Sequence, residues 1–197
     1  MANIQAPFGF RQLSNFIGSA PNYQMEQKLI AYNNSNTIAY GDPVKLLSTG
    51  YIDLLAPGTT AIYGIFAGCE YVDPNFQRPV WLPAWKAPTL ASTVVVTCWV
   101  ISDPNAVFEV QSGNSSTTAT AVTQANVGNN IQFAGGGAPN SAGISVAYAD
   151  QNTLTTTNTL PFRIVDLGNR VGNDNTSAFN TILVKMNFSQ INNTTGV

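Results

Sequence analysis

Asp103 and Glu109 stand close together in VVVTCWVISDPNAVFEV, between two apolar runs. A carboxylate pair in an apolar pocket would be acid–base equipment, one group held neutral and the other ionised. The local pattern favours scaffolding instead. Ser102-Asp103-Pro104-Asn105 has turn chemistry: Pro104 presets φ at the second position, and Asp103 can accept a backbone N–H two residues on. The turn sends the chain back as a second strand, with Phe108 and Val110 on one face and Val107, Glu109 and Gln111 on the other. Asp103 is expected to cap the turn, and Glu109 to be solvated or at an interface.

Other chemistry fails similarly. The chain contains no histidine, which removes the commonest general base, the Ser-His-Asp triad and the Cys-His pair. Cys69 and Cys98 lack zinc-site spacing and sit in strand-like apolar runs. They read as buried thiols of a reducing compartment, and a disulfide between them requires neighbouring strands. FAGGGAPNSAG has the glycines of a phosphate loop but not its lysine, and reads as a flexible loop. GNDNTS, from Gly172 to Ser177, offers too few carboxylates for a calcium loop. Glu70 and Asp73 fall with the other carboxylates near turns, and nothing marks a glycosidase dyad. No catalytic, metal or cofactor residue is predicted, and the protein is expected not to be an enzyme.

The elements that must position these residues are short strands. KLIAY, DPVKLL, YIDLL, AIYGIFAG, VVVTCWVI, AVFEVQ and NTILVKMNF are separated by Asn-, Gly- and Pro-rich turns. In the last, Ile182, Val184, Met186 and Phe188 alternate with Thr181, Lys185 and Asn187. Val94 to Ile101 is apolar on both faces, as in a covered central strand. The glycines of AIYGIFAG suggest a bend or a close backbone approach. VDPNFQRPVWLPAWKAP reads as an extended loop carrying Trp81 and Trp85, because proline excludes central pairing. No amphipathic helix is evident. The expected fold is all-β, an antiparallel barrel or sandwich (jelly-roll-like), with long Thr/Asn-rich loops.

Residues 1–25 carry Pro7, Gly9, Gly18 and Pro21 between aromatics, without sustained period. They read as an extended arm ahead of a single β domain, 26–197. Phe8, Phe10, Phe16 and Tyr23 need a surface to lie on: a partner's, with Arg11 paired to it, or the domain's own core.

Charged residues make up only 9% of the 197, and the formal charge is −2. Without a basic run, nucleic acid is not an expected partner. A weakly charged polar surface does little to repel copies of itself, which suits an assembly. No apolar run is long enough to span a membrane, and MANIQAPFGFRQL has no signal-like pattern. The N-x-S/T triplets at Asn33, Asn114, Asn175, Asn187, Asn192 and Asn193 read as composition rather than glycosylation.

The order APFGFR, GSAPNYQ, YGDPVKL, IYGIFAGCEYVD, VTCWVISDPNAVFEVQS, PFRIVDL and ILVKMNFSQ resembles a family of tailed-bacteriophage virion proteins, the capsid decoration or cement proteins. The resemblance implies a structural protein of the head, bound outside the major capsid protein's shell after assembly in the host cytoplasm. Its expected partners are that shell and further copies of itself, as a dimer or trimer. The residues expected to make these contacts are Phe8, Phe10, Arg11, Phe16, Tyr23, Trp81 and Trp85. A glycan- or host-binding head fibre, with Trp81, Trp85 and Tyr71 stacking on sugars, and a tail or neck component are the alternatives.

Overall fold

A computed structural model describes residues 2–16, 18, 20–59, 61–114 and 118–192. The Asn193 triplet lies outside them. Among the described residues fourteen strands form: β1 (Arg11–Asn15), β2 (Glu26–Ile30), β3 (Ile38–Ala39), β4 (Pro43–Leu46), β5 (Ile52–Leu54), β6 (Gly64–Asp73), β7 (Arg78–Leu82), β8 (Ala84–Trp85), β9 (Val96–Ile101), β10 (Ala106–Gly113), β11 (Asn130–Ala134), β12 (Tyr148–Thr155), β13 (Phe162–Leu167) and β14 (Thr181–Met186). The all-β expectation holds, and the sheets close into two barrels.

The first barrel is a ring: β2 pairs β5, β5 pairs β4, β4 pairs β6, β6 pairs β9, and β9 returns to β2. The second runs β10, β12, β11, β13, β14 and back to β10. In chain order the two rings are wired alike. The first strand lies parallel to the third, and every other pairing in the ring is antiparallel.

The register repeats as well. On the fifth strand, Val100 faces Glu26 and Phe66, while Val184 faces Phe108 and Ile164. Two residues earlier, Cys98 faces Lys28 and Cys69, while Ile182 faces Val110 and Leu167. Each fourth strand therefore carries a bulge at the same place. Each second strand is entered through a left-handed glycine, Gly41 at φ 92° and Gly128 at φ 94°. The Gly41 N–H donates to Phe66 O at 2.8 Å, and the Phe66 N–H to Asp42 O at 2.9 Å. In the second barrel the Gly128 N–H donates to Ile164 O, and the Ile164 N–H to Asn129 O, both at 2.9 Å. The chain is thus an internal structural duplication.

Ser102–Asn105 joins the repeats, so β9 and β10 belong to different barrels and are not the expected hairpin. Central β9 carries Cys98 and Val100 into the first barrel's core, with Trp99 and Ile101 against the second core. Gly64 is a close approach: a Cβ there would stand 2.5 Å from Ile101 O. The Pro-rich segment is more ordered than expected. Its β7 pairs with β6 at a sheet edge, where Pro79 is tolerated, and its β8 pairs with β3.

One apolar cluster, with Phe108, Ile131, Phe133, Phe162 and Val184, fills the second barrel and continues onto Ile62, Ile65, Ala67 and Ile101 of the first. The other joins Ile30, Val44, Phe66, Cys69 and Cys98 to Trp85 and Ile38 of the β3–β8 ribbon. At the other end of the chain, the Ile62 N–H donates to Phe188 O, and Gln190 brackets Leu46 through its side chain.

Residues 1–25 are attached to the chain's own barrels where they are described. β1 adds to β10, with Arg11 opposite Glu109. Phe10 is 1% exposed and stacks on Phe162 at 4.3 Å between ring centres. Its N–H donates to Gly41 O, and the Gly9 N–H to Ala147 O, so the segment is wedged between the repeats. Earlier still, Gln111 accepts from the Ala6 N–H and donates to Ile4 O.

Candidate functional site

Most carboxylates singled out by type serve structure. Asp103 accepts the Asn105 N–H at 2.8 Å, the turn cap expected of it. Glu109 receives Arg170 Nη1 at 3.0 and 3.1 Å on its two oxygens. Asp174 accepts from Thr176 and Ser177, whose donors hold its carboxyl down at about 2, and Asn3 threads the same loop through Asp174, Ser177 and Ala178. Among the described residues no group of three or more His, Cys, Asp or Glu side chains converges as metal ligands would.

Asp42 went unremarked in the sequence, and it is the most buried acid, at 0% exposure. Its Oδ2 accepts the Ala39 N–H at 2.7 Å and the Gly137 N–H at 3.0 Å, and its Oδ1 accepts the Ser145 hydroxyl at 2.6 Å. Burial raises its pKa above the ordinary value against those three donors. It ties the Gly135-Gly136-Gly137 loop of the second barrel to the first, so that loop is pinned at one carboxylate. YGDPVKL carried the signal in its Gly-Asp-Pro sequence, but not the partner.

Cys69 and Cys98 are cross-strand neighbours and free thiols, as the sequence left open. Burial pushes both up to about 12, so neither is a nucleophile at neutral pH.

The residues expected to contact partners divide. Phe10 and Trp85 are core, at 1% and 0% exposure, so neither can meet a partner. Phe10 fills the seam between the repeats, and Trp85 packs edge-on to buried Tyr71 while its indole N–H donates to Asn34 O. Sequence reasoning left the domain's own core open for Phe10 but missed Trp85, whose partners Tyr71 and Asn34 lie on other elements. Phe8 is half-buried beneath the exposed Arg11 guanidinium, 4.5 Å from the ring centre. Phe16 is exposed, with Lys185 Nζ 4.2 Å above its ring, and Tyr23 is exposed on a left-handed residue at φ 47°.

Trp81 belongs to a surface. The register lines up Leu29, Thr97, Glu70 and Trp81 across β2, β9, β6 and β7. Strand alternation adds Val72 and the preceding residue Val95 to that face. Leu29, Val72, Trp81 and Val95 are 41–66% exposed. The indole lies against Gly68, where a Cβ would come within 2.7 Å of Trp81 Cζ2. The bulge glycine thus leaves room for the ring against the sheet. This is an apolar face with a carboxylate at its centre, of the kind that marks contact surfaces.

Compared with protein-family models, curated proteins and solved structures, the chain matches none.

Proposed function

We propose that the protein is a non-enzymatic virion component that binds the outside of a bacteriophage major capsid shell and reinforces it, with further copies of itself as neighbours. The observation that carries the reading is the apolar sheet face of Leu29, Val72, Trp81 and Val95 on a weakly charged molecule. Large flat aromatics bring much contact area at little entropic cost. A shell repeats one patch many times, so a modest face gains from effective concentration. The order of motifs from APFGFR to ILVKMNFSQ points the same way.

Mixing the protein with undecorated shells tests the reading. Many copies should bind per particle and raise its melting temperature. Trp81→Ser should lose most of that binding while the free protein melts as before. Binding of only a handful of copies, or undiminished binding by the variant, would overturn it. A second reading, a glycan-binding module, keeps one support in the exposed Trp81. Tyr71 and Trp85, buried, no longer serve it.

A further inference from the structure

The duplication exposes a difference between the barrels. Along β10, residues Ala106–Glu109 are covered by β1. Their register equivalents in the first barrel are Gln24–Gln27, leading into β2. There, among the described residues, β2 has β9 on one side and meets β5 on the other only at Ile30. Met25, Gln27 and Leu29 are exposed. Phe108 and Val110, fully buried, correspond to Glu26 and Lys28. These two form an ion pair at 2.6 Å, with the Tyr63 hydroxyl and Ser102 also donating to Glu26.

Charges on a free edge usually repel strands. They admit one that brings opposite charges in the same register. An antiparallel pair related by a two-fold axis must centre on a residue, because facing side chains share a side of the sheet. Centred on Glu26 or on Lys28, like charges would meet. Centred on Gln27, the segment Met25-Glu26-Gln27-Lys28-Leu29 is complementary to itself. Glu26 then faces the second copy's Lys28, and Met25 its Leu29, on opposite sides of the sheet.

We propose that β2 is a homodimer edge: two copies pair antiparallel about Gln27, joining their first barrels through a continuous sheet. This deepens the self-association part of the function proposed above and can fail without the shell-binding part failing, since it is tested without shells.

The test is charge mating. Light scattering at millimolar concentration should show wild-type dimers. Glu26→Lys and Lys28→Glu should each be a folded monomer by circular dichroism and scattering. An equal mixture of the two should restore the dimer, because every facing pair becomes opposite in sign. An ion pair acting only within one chain cannot produce that rescue. Should Glu26→Lys misfold through its Tyr63 contact, an acidic chain (Met25→Glu, Leu29→Glu) and a basic chain (Met25→Lys, Leu29→Lys) make the same test at exposed positions. A wild-type monomer, single variants that dimerise undiminished, or folded complementary chains that stay monomeric when mixed would overturn the proposal.

Discussion

Asp42 is the residue on which the seam between the barrels turns. Asp42→Ala would strip acceptors from two N–H groups and a hydroxyl in a buried site, at a cost on the order of 3–5 kcal/mol. Asp42→Asn keeps one oxygen for the two N–H groups and should cost clearly less. Because burial raises the folded-state pKa, the neutral acid is the form folding favours. The stability contributed by that preference is fully present below the ordinary value of 3.8 and is lost as pH rises through the folded-state value. Wild type should therefore lose stability relative to Asp42→Asn over that rise, as read by denaturant unfolding at several pH values. A constant difference would show that Asp42 titrates normally. Asp103 was legible from sequence and Asp42 was not, for one reason. The Asp103 partner is two residues away, whereas the nearest cues for Asp42 say nothing of Ser145 or Gly137.

At the scale of elements, β14 was legible because strict alternation survives wherever one face of a strand is buried. The duplication was not. Equivalent positions share a shape and a register but not a residue type: Cys69 with Leu167, Gly64 with Phe162, Lys28 with Val110. The N-terminal segment was half legible. Its aromatics needed a surface, but no period told Phe10 from Phe16. Phe10→Ala should cost about 3–5 kcal/mol, measured by chemical denaturation, as for other large core truncations. Removing residues 2–22 deletes both that wedge and β1, so it should abolish cooperative folding rather than leave a sound domain. A truncated chain with native thermal stability would place the segment outside the core.

For the whole molecule, two barrels need not mean two unfolding units. One apolar cluster crosses from the second barrel to Ile62, Ile65 and Ile101 of the first. Phe10 fills the seam, and Gln190 brings the end of the described chain back to Leu46. Calorimetry should give a single transition with agreeing calorimetric and van't Hoff enthalpies. Two resolved transitions would show that the barrels melt independently.

The wedge also sets an order in time. A chain leaves the ribosome N-terminus first, so Phe10 and β1 are made before anything they bind. The Ala6 N–H waits for Gln111, 105 residues later, and Phe10 waits longer still for Phe162. The first barrel has all its strands once β9 is out, while β1 and Phe10 still lack β10 and Phe162. Long-range pairings of this kind are slow to form. The segment around Phe10 is then the last to dock, and its arrival closes the seam only when the second barrel has been made.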